Sequence, residues 1–575
     1  MTVRAKAVRH SAARVADLLP RRSDWTAARR GPRRDLLAGL TVAVVALPLA
    51  LAFGVSSGLG AGAGLVTAVV AGAVAAVFGG SNLQVSGPTG AMTVVLVPVV
   101  AAFGPGGVLM VGAMAGAILI ALAVARLGRY VRYLPTPVIE GFTAGIAVVI
   151  ALQQVPAALG VADAHGAKVW AVAADAVLRF VADPAPAPVL TALGVAAAML
   201  AGGRWRPQLP WSLIAVAAAT VLVVVLHAEV ARIGTLPAGL PAPSLDFLDP
   251  HAFARLLPSA LAVAALAALE SLLCATVADA MSVDQHHDPD RELFGQGLAN
   301  LVSPVFGGIP ATAAIARTAV NVRAGAGSRL AALTHAAVLA AIIFVAAPLV
   351  AGIPLAALAG VLLATTVRMV EASALLALAR STRGDALVLA LTFTVTVAVD
   401  LVAAVVVGLG AAVVLALRAV ARSVRLEQVP LDTTDHSDEE HQLLTEHIVA
   451  YRLDGPLFFA AAHHFLIELS DVADVRVVIL RMSRVTTVDA TGAHVLGDAI
   501  ARLRRRGITV LLSGIAPHHD QVLTALGVAD ELPRFPDTPA AIAHARGHLQ
   551  EQHAHSPADP MGTADRAADP LESQN

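Results

Sequence analysis

One carboxylate and two glycine–proline breaks carry most of the chemical information in this chain. Glu270 lies in Ala265-Leu-Ala-Ala-Leu-Glu-Ser-Leu-Leu-Cys-Ala-Thr-Val-Ala-Asp-Ala280. It is about 13 residues into an otherwise apolar stretch, roughly 20 Å at 1.5 Å per residue and so near the middle of a bilayer. A charge there costs a few kcal/mol, so the group must be protonated, paired or turned toward water. Such a carboxylate can load and release a proton as the site faces one aqueous side and then the other; its plainer use is a structural hydrogen bond to a neighbouring helix. Cys274, four residues on, shares its helix face.

The breaks are Val85-Ser-Gly-Pro-Thr-Gly90 and Gly307-Gly-Ile-Pro-Ala-Thr312. Each is expected to start a short helix near the midplane, where irregular backbone is tolerated only if protein or a water-filled cavity satisfies it. A helix N-terminus there presents unpaired N–H groups and the positive end of the helix dipole, so two of them facing each other form an anion site. Two ordinary proline-kinked helices are the alternative. Arg317, one to two turns past Pro310, can neutralise a bound anion, pair with Glu270 or snorkel to the interface ahead of Arg323 and Arg329. Glu140 stands at the start of its span and reads as interfacial. The pairs His286–His287, His463–His464 and His518–His519 have no accompanying ligand cluster, so no metal is expected. With no phosphate loop, nucleophile elbow or HExxH motif, no cofactor and no enzymatic activity are expected either.

The elements that must position these residues are membrane helices. The 575 residues are 57% hydrophobic and 14% charged, with mean hydropathy +0.74 and net charge −1. That balance points to lipid and away from nucleic acid. A single cysteine excludes an internal disulfide. About 14 apolar segments are expected near 36–58, 62–80, 88–103, 107–125, 137–155, 186–203, 209–228, 254–280, 293–306, 310–322, 331–350, 354–370, 386–400 and 401–418. With this count the arginine clusters (29–34, 126–132, 204–206, 317–329, 368–383 and 418–425) all fall on one side. Both termini are then cytosolic, and residues 1–34 form a cytosolic arm. The transmembrane domain, 35–425, divides into halves 35–228 and 254–420. Seven spans in each inverts the second half relative to the first and puts both breaks at matching third positions.

Beyond the membrane part, residues 426–445 read as a linker, with Asp432, Asp435, Asp438, Glu439 and Glu440 supplying an acidic run. Residues 446–549 alternate strand and helix patterns: strands at 447–453, 475–482 and 508–513, and a helix at 490–505 capped by Asp489 with Thr491 in its first turn. The tail 550–575 is expected to be disordered.

Several of these segments resemble the SulP family of sulfate permeases and related anion transporters: Pro48-Leu-Ala-Leu-Ala-Phe53, the first break, Pro137-Val-Ile-Glu-Gly-Phe-Thr-Ala-Gly145, Glu270-Ser-Leu-Leu-Cys274, Glu292-Leu-Phe-Gly-Gln-Gly-Leu-Ala-Asn300 and Gly307-Gly-Ile-Pro-Ala-Thr-Ala-Ala-Ile-Ala-Arg-Thr318. Val488-Asp-Ala-Thr-Gly492 is similar to the strand-to-helix turn of a STAS domain. The resemblance implies a seven-plus-seven inverted repeat of core and gate domains, a homodimer in the cell membrane, and a small-anion site lined by Phe53, Pro88, Thr89, Ala311, Thr312, Ala313, Ala314, Ile315 and Arg317. Glu270 matches the acidic coupling position. Sodium-coupled bicarbonate members tend to carry Asp there and Thr at the place of Ile315, so this resemblance favours protons. A similar-looking subgroup includes bacterial C4-dicarboxylate carriers; sulfate, bicarbonate and C4-dicarboxylates stand as candidate substrates. In STAS domains of anti-sigma-factor antagonists, the residue matching Thr491 is phosphorylated. Proton-coupled symport leads, against an uncoupled channel or exchanger and a membrane-anchored signalling protein with STAS output.

Overall fold

Long apolar runs have few ways to satisfy their backbone in lipid, and here they take the helical one. The structure, a computed structural model, describes residues 17–133, 135–236, 239–282, 285–421, 425–429, 447–458, 475–528 and 532–554. They fall into two compact units, Met1–Ala412 and Val413–Asn575.

In the first unit the leading helices are α1 (Pro32–Ser56), α2 (Ala61–Phe78), α3 (Gly90–Val124), α4 (Thr136–Leu159), α5 (Val169–Ala182), α6 (Pro186–Trp205) and α7 (Trp211–Val225). They are followed by α8 (Phe253–Ala280), α9 (Pro289–Val305), α10 (Ile315–Arg323), α11 (Leu330–Ala351), α12 (Leu355–Met369), α13 (Ala372–Ser381) and α14 (Arg383–Ala398); α15 (Leu401–Ala421) begins in this unit and ends in the second. Each expected span has a helix. The third and fourth run as one kinked stretch, α3, because Gly104 takes φ 67° just before Pro105. Among the described residues nine helical stretches are long and apolar enough to cross a membrane. α5 and α13 lie outside the expected spans. At 14 and 10 residues they are too short to cross.

Close approach through small residues holds the helices together. A Cβ at Gly116 of α3 would stand 2.6 Å from the Gly297 carbonyl oxygen of α9, and one at Gly141 of α4 would stand 2.6 Å from the Leu389 oxygen of α14. Between helix ends, the arm before α1 is fastened by an ion pair from Asp24 to Arg291 at the start of α9. Burial alone would raise the Asp24 carboxyl, but the hydrogen bonds from Arg291 and from the Arg21 N–H, with the nearby charges of Arg291 and Arg329, hold it below its ordinary value.

One expectation is corrected in the second half. The helix assigned to 310–322 begins at Ile315. Residues before it are extended: Thr312–Ala313 (β2) pairs antiparallel with Ser86–Gly87 (β1), in register Ser86↔Ala313 and Gly87↔Thr312. Pro310 cannot donate to a ladder or continue a helix from upstream, and this short pairing satisfies the backbone instead.

The second unit contains a five-stranded sheet in the order β3 (Arg425–Val429), β4 (Ile448–Leu457), β5 (Val477–Val488), β6 (Thr509–Ser513), β7 (Arg534–Phe535). β3 is antiparallel to β4 and the others are parallel. Alternation along the strands loads both faces. Val478, Leu480 and Leu512 pack with Leu496, Ile500 and Leu503 of α16 (Ala490–Arg505). Val477, Ile479 and Leu511 pack with Ala541, Ala545 and Leu549 of α18 (Thr538–Ala554), while α17 (Pro517–Ala525) lies between them in sequence. Two boundaries differ from expectation. Residues 425–429, read as membrane end and linker, form a strand, and α18 runs past Gln550 to Ala554. The acidic run Asp432 to Glu440 and the pair His463–His464 lie outside the described residues.

Candidate functional site

The β1–β2 pairing brings the two breaks together, and with them most of the residues singled out by sequence. Directly after β1 comes the turn Pro88–Thr89, where Thr89 has extended backbone and α3 starts at Gly90. Directly after β2 comes Ala314, also extended, whose N–H bonds the Val85 carbonyl at 3.1 Å before α10 starts at Ile315. Two helices therefore start from adjacent points of one miniature sheet.

Both ionisable residues reach the same turn. The Thr89 hydroxyl donates to Glu270 Oε2 at 3.0 Å, and the Arg317 guanidinium donates to the Pro88 carbonyl. Arg317 is only 3% exposed, which removes the snorkelling reading. It also forms no ion pair with Glu270 within 4.0 Å, although both flank one turn. The missing side chain at Gly87 is what admits the guanidinium, since a Cβ there would collide with Arg317. Phe53 and Ile150 press against the start of α3: the Phe53 ring edge stands 3.1 Å from where a Cβ at Gly90 would be, and Ile150 Cδ1 stands closer still. Glu270 is half-buried, Ala314 likewise, and Ile315 is 46% exposed, so the site has an open side.

Further polar contacts hold this arrangement. Ser271 and Thr312 share a hydrogen bond of 2.9 Å, and the Thr312 hydroxyl also reaches the Ala267 carbonyl of α8 at 3.2 Å. Thr318 accepts from the Val85 N–H at 3.0 Å and from Cys274 Sγ at 3.2 Å, which gives the lone thiol a structural place. Asn321 donates to the Leu83 carbonyl at 2.8 Å. Arg329, expected to point toward the loop, is 2% exposed and caps α2, donating to the Val77 carbonyl at 2.9 Å and to Asn82 Oδ1 at 2.8 Å. The sequence signal for this group is a run of hydroxyl and amide residues inside spans that lipid alone would leave apolar. Thr491 belongs to the other unit. It is exposed in the first turn of α16, one residue before Gly492, whose N–H donates to Asp489 Oδ1 at 2.7 Å. Among the described residues no cluster of His, Cys, Asp and Glu could hold a metal ion.

Comparison with known proteins gives two family matches, the sulfate permease family over residues 33–392 and the STAS domain over 443–541. Putative sulfate transporter YvdB of Bacillus subtilis is 34% identical over 507 residues, spanning 86% of this chain and 94% of its own. Bicarbonate transporter BicA of Synechocystis is 33% identical over 502 residues, 84% of this chain and 88% of its own. Among solved structures, the transmembrane domain of a cyanobacterial BicA matches with TM-score 0.61 at 36% identity, covering 65% of this chain and 98% of that one. SLC26A9 matches at TM-score 0.78 over 96% of this chain and 95% of its own; at 18% identity it bears on the fold alone.

Proposed function

Because the chain belongs to the sulfate permease family, we propose that it moves small oxyanions (sulfate, bicarbonate or a C4-dicarboxylate) across the cell membrane by proton-coupled secondary transport through the β1–β2 site. The observation that carries this reading is the convergence of Arg317 and Glu270 on the Pro88–Thr89 turn. An anion at the starts of α3 and α10 meets backbone N–H groups and two positive dipole ends, with the Arg317 charge beside it. Glu270 sits one hydroxyl away. A proton on Glu270 removes a negative charge facing the anion, so proton and anion favour each other's binding and travel together. Rocking of one bundle of helices against the other opens this site to each side in turn.

The same reading places the arginine-rich arm and loops, both termini and the STAS domain in the cytosol, and the working form as a homodimer. The transport domain is 35–425 and the STAS domain, reaching to about residue 549, contributes to assembly more than to substrate binding. Glu rather than Asp at 270 and an apolar Ile315 support protons over sodium, following the resemblance above.

The test is uptake of labelled sulfate into proteoliposomes under inward proton gradients of increasing size, with bicarbonate and succinate as competitors. Wild-type accumulation should rise with the gradient. Glu270→Gln keeps the shape and donor capacity of the protonated acid, so it should exchange anion for anion yet accumulate none. Wild-type uptake indifferent to the gradient would turn the reading to a channel or exchanger. Flux absent from both the full chain and one ending at Val429 would turn it to a signalling protein.

A further inference from the structure

Three polar side chains of α9 have no part in that mechanism. Glu292, Gln296 and Asn300 are four residues apart, so they line up as one stripe along the helix. They are 2%, 0% and 0% exposed. Each reaches off its helix toward the non-helical segments that carry the site. Glu292 Oε2 accepts from the N–H groups of Gly80 at 2.9 Å and Ser81 at 3.2 Å. Gln296 Nε2 donates to Glu292 Oε1 at 2.9 Å and to Ser86 Oγ of β1 at 2.7 Å. Asn300 takes both backbone groups of Ala311, its Nδ2 donating to the carbonyl and its Oδ1 accepting from the N–H, each at 2.8 Å.

The Asn300 amide thus stands in for a third strand beside the segment entering β2. A two-residue ladder cannot hold its own register, because pairs of strands are marginal even at full length. α9 gives the stripe a firm base. Gly297 lies backbone to backbone with Gly116 of α3, and a Cβ at Gly295 would collide with Gly79 at the end of α2. Ordinary satisfaction of buried polar groups would be met by any partner. Here the partners are Gly80, Ser81 and Ser86 on the first-half segment and Ala311 on the second-half segment.

We infer that the Glu292–Gln296–Asn300 stripe is a set of positioning residues that fixes the separation of the two extended segments and, through it, the size of anion the site accepts. The inference rests on the reading that the anion binds between the starts of α3 and α10. Its consequence is specific: loosening the stripe changes anion affinity and preference before it changes turnover.

The experiment measures KM and maximal rate for sulfate, and inhibition by succinate, in proteoliposomes of wild type, Asn300→Asp, Asn300→Ala and Leu293→Ala. Asn300→Asp keeps the acceptor for the Ala311 N–H and loses the donor, whereas Asn300→Ala loses both. One buried hydrogen bond corresponds to about fivefold in affinity. The KM for sulfate should rise about fivefold in Asn300→Asp and further in Asn300→Ala, with maximal rates within about twofold of wild type and succinate gaining relative to sulfate. Leu293 is buried on the same helix and touches neither segment through a hydrogen bond, so Leu293→Ala should lose thermal stability and keep its KM. If Asn300→Ala does not fold, the Asp variant carries the test. Unchanged KM and preference in a folded Asn300→Asp, or an equal rise in Leu293→Ala, would overturn the ruler. Arg317→Leu separates the two levels: unchanged anion affinity there defeats the site itself, while a lost affinity with an unmoved Asn300→Asp defeats the ruler alone.

Discussion

The helices around the β1–β2 site and those away from it treat their buried polar groups differently. In α12 and α14 the buried hydroxyls turn back onto their own helix: Thr366 donates to the Leu363 carbonyl, Thr392 to Val388 and Thr396 to Thr392. Around the site, although Thr93 bonds back to Gly90 within α3, most reach across to other elements, as Thr89 does to Glu270, Thr318 to Val85, Asn321 to Leu83 and Asn300 to Ala311. A self-satisfied helix can slide or tilt at little cost, because it carries its hydrogen bonds with it. Cross-linked elements move as one body. On the proposed reading, the contrast divides a cross-linked binding unit from helices that shift against it in alternating access.

The largest expected effect falls at the centre of the cross-linked region. Arg317→Leu removes the charge set beside the proposed anion position, a charge-assisted contact worth about 3 kcal/mol, so anion affinity should fall about a hundredfold in a binding assay with detergent-solubilised protein. An affinity within threefold of wild type would place the anion elsewhere. Next, Gly116→Val should destabilise by about 1–3 kcal/mol through its clash with α9, whereas Gly194→Val in α6, with nothing within 4 Å of its Cβ position, should stay within about 0.5 kcal/mol. Equal losses of apparent melting temperature would erase the contrast between the two regions.

A smaller effect concerns the arm. Asp24→Asn breaks the pair with Arg291 and should cost about 1.5 kcal/mol, seen as faster amide exchange in residues 21–30. The lowered carboxyl value sets the sign of the pH effect. The stabilisation is fully present above the ordinary value of 3.8 and is lost as pH falls through the lower folded value. Arm protection that already declines between pH 7 and pH 5 would show that another group controls it. The smallest effect is in the second unit, where Asp489→Ala removes the cap of α16. It should cost about 1 kcal/mol, local to exchange at 490–492, with the KM for anion unchanged. A shifted KM would tie this turn to the transport site.

Much of the fold was legible because lipid writes its demands in long apolar runs: each expected span has a helix, and α16 begins and ends where its pattern does. Glu270 was legible for the same reason, as an acid where lipid tolerates few. The pairing of residues 312–313 with 86–87 was not, because a two-residue ladder has no periodicity to read, and a proline can as well begin a helix as precede one. α5 and α13 fell below the length of a span and merged with loops. β3 escaped because the basic end of α15 and the acidic stretch after it frame residues 425–429 as connection. The α9 stripe was visible only as part of a resemblance. Its spacing of four places Glu292, Gln296 and Asn300 on one face, but spacing does not say what that face meets.

On the proposed reading, the pairing of one half's turn with the other's also sets when the anion site can first form. Arg317 and Pro88 are 229 residues apart in the chain, and β1 has no partner until β2 arrives. During synthesis β1 must wait, its ladder unmade, while the ribosome finishes the first half and enters the second. A chain arrested before Thr312 therefore has α1 to α9 and, on the proposed reading, only half of the anion site.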